Sequence, residues 1–428
     1  MASSRRSRRW RRARRARLGS SGVVVIGALL AVGLAPGPAL AAAPSGAVTI
    51  AGVGRPGFSG DGGPADRAAL DAPSGIAVDG AGDLFVADTG NCRVREIPAH
   101  DGSAFGRTVR AGTIVTLTGG PCRDHADPAP AALATDAAGD VFIAYPTADR
   151  VDVLAPHTGT VLGVRVTAGK TVIVAGTGTA GSGGDGGAAV RAALDDPSGL
   201  VTDAAGDLFV ADTANCRVRM VAAAPGRRDG LWSATAAGEV STVAGTGVCG
   251  SSGDGGPALQ AQVWDPGALA TDAAGDLYVA DQGNRTVRVL APSAAMVDGV
   301  GVGAGDLATV AGEGSYGPYL IDGLAATGQT GELNFPTGLA VDRAGNVIVA
   351  DGYSHAIREV TALAGSVRGK AVTAGVLVTV AGVNSMSGTV VTTVSDPVGV
   401  AVTARGTVVY ADGETDVVRA VPDVSPTG

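Results

Sequence analysis

Between residues 48 and 421, short apolar runs alternate with polar, glycine-bearing turns, and the alternation itself recurs. One 25-residue pattern occurs six times, over 73–97, 130–154, 197–221, 266–290, 336–360 and 397–421. It reads Pro-x-Gly-aliphatic-Ala-x-Asp, then Ala-Gly-Asp-aliphatic-aromatic-Val-Ala-Asp, then a turn, then Arg-Val-Arg and an aliphatic residue. The starts lie 57, 67, 69, 70 and 61 residues apart, which signifies one supersecondary unit repeated and not two or three unrelated domains. Apolar runs this short, bounded by Gly and Asp, have the length of strands. The first copy therefore predicts strands at 76–78, 84–87 and 93–97. The turn between the first two holds Gly82, and its counterparts Gly139, Gly206, Gly275, Gly345 and Gly406, where a tight hairpin needs positive φ.

The spacers supply a fourth strand. Its signature, Thr-x-Ala-Gly, ends segments 241–245, 308–312 and 378–382; segment 172–176 keeps the Ala-Gly with Ile173 in the Thr place, and 115–119 is a looser version. Four antiparallel strands per repeat make one propeller blade, and a closed ring of six blades leaves only short edges. The fold class is thus all-β, a six-bladed β-propeller. An orphan fourth-strand signature at 48–52 precedes the first copy, whereas little chain follows the sixth. This N-terminal strand is expected to complete the last blade and join the ends of the ring.

These residues resemble the NHL repeat family, in the secreted bacterial form whose inter-blade loops look like those of the teneurin NHL domain. The resemblance spans about residues 48–421 and rests on Asp83-Leu-Phe-Val-Ala-Asp88, Asn91-Cys-Arg-Val-Arg95 and the loop Gly57-Phe-Ser-Gly-Asp-Gly-Gly-Pro-Ala65. It implies a propeller that serves as a binding platform or, less often, as an enzyme. The second copy, with Tyr145-Pro146, and the sixth, with Thr403 and Thr407, depart most from the pattern.

Composition agrees with many short strands. Gly (68) and Pro (22) are abundant, 45% of residues are hydrophobic, and only 17% are charged. That apolar content argues against disorder. Nine Arg lie among the first 17 residues, followed by an apolar stretch over 22–35 and Ala39-Leu40-Ala41. Basic, apolar and cleavage regions in this order read as a secretory signal over 1–41, cut after Ala41 or Ala43, ahead of a single propeller over 42–424. The apolar stretch is too short to span a bilayer comfortably. Without the leader, 23 basic residues face 40 acidic ones, so the net charge of −8 becomes −17. A nucleic-acid partner is excluded, since phosphate binding needs a basic face. A secreted protein, free or loosely held at the cell surface, is expected, and a monomer.

The four cysteines carry the sharpest local signal. Cys92 and Cys216 occupy one position, just before the third strand, while Cys122 and Cys249 follow the fourth strands of the same blades. Third and fourth strands are antiparallel neighbours, so of three connectivities Cys92–Cys122 and Cys216–Cys249 are favoured. A four-thiolate metal site would need two non-adjacent blades to converge.

Asp closes the second strand in five copies, and Arg follows seven residues later in the same five, as Asp88 and Arg95, Asp212 and Arg219, Asp281 and Arg288, Asp351 and Arg358, and Asp412 and Arg419. The second copy has Tyr145 and Asp152 instead. Their joint loss points to a structural ion pair. A second acidic set, Asp61, Asp185 and Asp254, lies in Gly-Asp-Gly-Gly inter-blade loops. Turn chemistry is the first expectation for these, with calcium or a cationic ligand as the alternative, although one carboxylate per loop falls short of a calcium shell. Hairpin order puts these loops on the face of the Asp88-type turns, making Asp61, His125, Asp185, Asp254 and His355 the candidates for a ligand face.

Catalysis finds little support. His100 and His157 fall in variable connections on the opposite face, no three His recur at matching blade positions, and no Glu recurs on an inner strand. No catalytic residue or cofactor is assigned. The expected function is a secreted, non-catalytic scaffold for a protein or cell-envelope ligand, with a metal-assisted hydrolase or lyase in the central channel as the alternative.

Overall fold

The computed structural model describes residues 46–122, 127–228, 232–234, 236–314, 324–327, 331–367, 370–382 and 394–421. The leader and His125 lie outside them.

Six antiparallel sheets follow one another along the chain. Blade 1 consists of Pro73–Val78, Leu84–Asp88, Arg93–Ile97 and Val115–Gly119, from the inner strand outward. Blade 2 has Ala132–Thr135, Val141–Tyr145, Arg150–Leu154 and Thr171–Ala175, and blade 3 has Pro197–Thr202, Leu208–Asp212, Arg217–Val221 and Glu239–Ala244. Blades 4 and 5 repeat the order with inner strands Pro266–Thr271 and Pro336–Val341 and outer strands Asp306–Ala311 and Val376–Gly382. Blade 6 combines Pro397–Val402, Val408–Asp412 and Val417–Val421 with Val48–Ala51, the strand from the start of the fold. Val48 pairs with Ala420, Thr49 with Arg419 and Ala51 with Val418, so backbone hydrogen bonds close the ring as expected.

The second strand is buried along its whole length in every blade. Its side chains alternate between the two neighbouring blades, so the core lies between blades. One cluster joins Phe142, Ala144 and Val153 of blade 2 to Leu200, Leu208 and Val210 of blade 3. Burial of both sheet faces accounts for a positive mean hydropathy in a chain whose described residues contain no helix long and apolar enough to cross a membrane.

The Thr-x-Ala-Gly signature has a geometric cause. The third and fourth strands of blades 1 to 5 share a register shift beside the Arg95 position, as does the closing pair in blade 6. In blade 3, Arg219 faces Thr242 and Val218 faces Ala244, leaving Val243 as the extra residue of a bulge that points into the core. Gly245 then turns at φ 94°, and a Cβ there would stand 2.5 Å from the Cys216 carbonyl oxygen.

Two features lie beyond the sequence-based expectation. First, the connections between third and fourth strands are not irregular. They form small β-hairpins, Gly102–Ala104 with Arg107–Val109, Gly159–Val161 with Val164–Val166, and their counterparts in blades 3 to 5. In blades 1 and 2 the tips fold back onto the second strand: Phe105 meets Phe85 edge-on at 6.1 Å, and Leu162 is buried in the cluster of Phe142. Second, the inter-blade loop does not run straight to the next inner strand. It first crosses the outer edge of the blade it enters and adds a short strand, Gly187–Ala188 on blade 3, Gly256–Pro257 on blade 4 and Leu324–Ala325 on blade 5. In blade 1, bridges from Asp61 to Ile114 and from Pro64 to Thr113 have the same role.

Candidate functional site

The loop face is built from the Asp and Arg that close each repeat. Asp88 and Arg95 are both fully buried, with Arg95 Nη1 at 3.1 Å from Asp88 Oδ2. Arg95 Nη2 reaches the loop carboxylate, Asp61 Oδ1, at 2.8 Å, and Thr116 Oγ1 donates to the same oxygen. The other side of Asp88 accepts the backbone N–H of Asp71 and the amide of Asn91, which also donates to the Gly57 carbonyl. The two acidic sets read from the sequence thus meet on one guanidinium. Blade 3 repeats this with Arg219 between Asp212 (3.2 Å) and Asp185 (2.8 Å), and blade 4 with Arg288 between Asp281 (3.5 Å) and Asp254 (3.2 Å). Blade 6 has the looser contact of Arg419 with Asp412 at 3.9 Å. In blade 5, Asp351 is wholly buried in the field of Arg358.

Burial raises the carboxyls of Asp212 and Asp281 to about 6, opposed by the backbone N–H groups of Asp195 and Trp264, the amides of Asn215 and Asn284, and Arg219 and Arg288. A planar fork gripping two carboxylates fixes a loop to a blade, and the donors it leaves unused, such as Arg95 Nε and Arg288 Nη2, are buried away from any ligand. Asp61, Asp185 and Asp254 sit on separate blades, and no group of three or more His, Cys, Asp or Glu is placed to hold a metal among the described residues. In blade 2 the network is rewired: Arg150 turns onto Asp152 at 3.0 Å and lies over the Tyr145 ring.

The residue just before each third strand carries a second device. Cys92, Asp149, Cys216, Arg285, His355 and Asp416 all have φ between 49° and 55°. All six bind the next inter-blade loop, by different chemistry. Cys92 is joined to Cys122 and Cys216 to Cys249, with Cα–Cα distances of 5.4 and 5.2 Å. Asp149 accepts the N–H of Asp196, and Asp416 that of Ala72. Arg285 donates to the Gly314 carbonyl, and His355 Nδ1 meets the Ser395 carbonyl. His355, a candidate for the ligand face, is therefore placed as a strap. The sequence marked this position only through its cysteines; aligning the six copies column by column is the signal that would have found the rest.

On the opposite face, the turn between first and second strands is held by Asp79, Asp136, Asp203, Asp272 and Asp342, each accepting two backbone N–H groups of its own turn. A further acid receives an N–H from the chain beyond the third strand: Asp83 from Ala99 and Asp207 from Ala223. At Asp140 and Asp276 the corresponding residue is Pro156 or Pro292, which has no N–H to give. Burial pushes both carboxyls to about 6, with Asp136 and Asp272 adding to the rise. A shallow cleft of about 320 Å³ opens here between blades 2 and 3, lined by Asp136, Asp140, Thr160, Leu162 and Asp203.

The channel is the poorest place for chemistry. No inner strand carries a Cys, His, Asp, Glu, Lys or Arg. Neighbouring inner strands pack tightly, so a Cβ on Gly75 would stand 2.6 Å from the Ala131 carbonyl and one on Gly399 2.2 Å from that of Ser74.

The NHL repeat family matches this chain at residues 70–97, 194–219 and 333–359, within blades 1, 3 and 5. No curated protein sequence matches it. Among solved structures, a protein of unknown function from Bacteroides thetaiotaomicron is similar at 15% identity and TM-score 0.54, over 87% of this chain and 74% of that one. An auxiliary nutrient binding protein from the same organism is similar at 13% identity and TM-score 0.53, over 87% and 75%. At these identities the likeness is one of fold. The chain is thus a six-bladed β-propeller that carries NHL repeats in blades 1, 3 and 5.

Proposed function

We propose that the chain is a secreted, non-catalytic NHL propeller that binds a protein or cell-envelope ligand through its loop face. The observation carrying this reading is the chemistry of the channel, whose inner strands offer no Cys, His, Asp, Glu, Lys or Arg, and whose Ser74, Ser198 and Thr337 hydroxyls are engaged in hydrogen bonds within the ring. What remains is a rigid ring with loops clamped in fixed positions, a scaffold on which shape and hydrogen bonds confer specificity. Two disulfides and the basic-then-apolar leader support export. The likeness to an auxiliary nutrient binding protein is in keeping with a binding role.

Photo-reactive residues at the exposed positions Val248 and Leu259, in the inter-blade loop entering blade 4, should capture a surface ligand from the exporting cell. The same groups at Met296 and Leu363, in connections of the opposite face, should not. Equal capture from both faces would overturn the choice of face. A stoichiometric metal whose removal abolishes a turnover would overturn the non-catalytic reading.

A further inference from the structure

Blades 3, 4 and 5 receive a short extra strand on their outer edge from the loop that enters them, and blade 1 two isolated bridges from its own. Blade 2 has neither. Among the described residues no strand pairs with the outward side of Thr171–Ala175, which ends a sheet of four. The cause is in the sequence: the first and second repeats start 57 residues apart, against 67 for the second and third. Ten fewer residues remove about 33 Å of extended chain. A detour to the outer edge and back across four strands needs roughly 14 Å each way, so the shortened loop has to cross directly.

The receptor positions changed with the loop. In the covered blades the innermost contact of the added strand falls on Ile114, Val240, Leu307 or Leu377, each no more than 1% exposed, whereas blade 2 has the exposed Thr171. The Thr that holds the loop carboxylate elsewhere, Thr116, Thr242 or Thr309, is replaced by Ile173, which is 39% exposed. The Arg that grips that carboxylate is replaced by Asp152, neutralised within the blade by Arg150. An acidic segment like the chain's own caps would find there neither the Arg nor the Thr that holds its carboxylate in the other blades. The edge displays instead a five-residue run, Thr-Val-Ile-Val-Ala, without charge and mostly β-branched.

We propose that the outer edge of blade 2 is a β-augmentation site, which takes an extended, β-branched and non-acidic segment of a partner protein as an added strand. Open strand edges with apolar side chains pair with further strands, and the neighbouring blades show that this fold accepts one there. Backbone hydrogen bonds supply the affinity, and Ile173 with Thr171 selects uncharged side chains. A second copy of the chain fits less well. It brings the same net charge of −8, or −17 without the leader, and a five-residue edge alone buries less than the roughly 1,000 Å² a specific dimer needs. The site lies on the rim of the ring and is independent of what the loop face binds.

The probe is a capped heptapeptide with the sequence of residues 170–176, Lys-Thr-Val-Ile-Val-Ala-Gly, added at millimolar concentration to the whole protein. Hydrogen exchange should slow about tenfold at the amides of 171–175 and stay unchanged in the covered outer strands of blades 3 and 4. Slowing should vanish in the Ile173→Lys and Ile173→Glu variants, whose melting temperatures report that the ring is intact. It should vanish also with a peptide carrying Asp in place of its central Ile. No slowing at millimolar peptide, or equal slowing by the acidic peptide, overturns the proposal. A concentration-dependent rise in mass without peptide overturns it in favour of a second copy.

Discussion

At the scale of single residues, burial makes several carboxyls harder to ionise. Glu96, on the third strand of blade 1, is fully buried, and neither side-chain oxygen has a hydrogen-bond partner. Burial pushes its pKa up to about 7, with Asp83 and Asp79 adding and Arg107 opposing. Asp298, at a hairpin tip of blade 4, also reaches about 7, through burial and the neighbouring Asp272 and Asp276. An unfolded Glu titrates near about 4.3, so in between the folded chain holds the proton more tightly. The stabilisation tied to that proton is complete below the unfolded pKa and is lost as pH rises through 7. Glu96→Gln should therefore match the parent near pH 4 and exceed it at pH 8 by about 3 kcal/mol, measured by urea unfolding. An unchanged difference across that range would show that Glu96 is already ionised.

At the scale of elements, the left-handed residue before each third strand acts as a tether between its blade and the next loop. A non-glycine residue at φ near 50° is strained by roughly 1 kcal/mol, and the contact it makes has to offset that. Asp does so by accepting an N–H, and Cys by a covalent bond. Removing one Asp tether, in Asp149→Ala, should cost about 1 to 2 kcal/mol in thermal or denaturant unfolding. Reducing either disulfide should cost more, about 3 to 4 kcal/mol, because the link also restrains the unfolded chain. Equal costs would mean that the disulfides merely replace the Asp contact.

At the scale of the whole molecule, the ring is held shut by Val48–Ala51 on Val417–Val421. A chain beginning at Pro73 lacks this strand and also the segment of Asp61 and Pro64 that covers blade 1. Blades 6 and 1 would each lose an outer partner, and the single sharp transition expected of a closed ring should broaden or split. Differential scanning calorimetry reads this directly. An unaltered transition would mean that the closing strand contributes nothing to cooperativity.

What the sequence determined by itself was everything that recurs with a fixed spacing. Six copies, the Thr-x-Ala-Gly strand and its orphan at 48–52 dictate blade number and closure, because local strand pairing follows from chain order. The disulfide partners were legible for the same reason, since antiparallel neighbours bring Cys92 beside Cys122. The pairing of Asp88 with Arg95 was legible from their joint loss in the second copy. Only the tertiary structure decided what lies between elements distant in sequence. It brought Asp61 onto Arg95 across 34 residues, revealed His355 and Asp416 as tethers, and carried the loops out over the blade edges. Those contacts depend on where a loop travels in space, and loop composition is the same whether the chain crosses directly or by the rim. The open edge of blade 2 joins both kinds of information: a loop shortened in the sequence, and a bare strand visible only once its neighbours are seen to be covered.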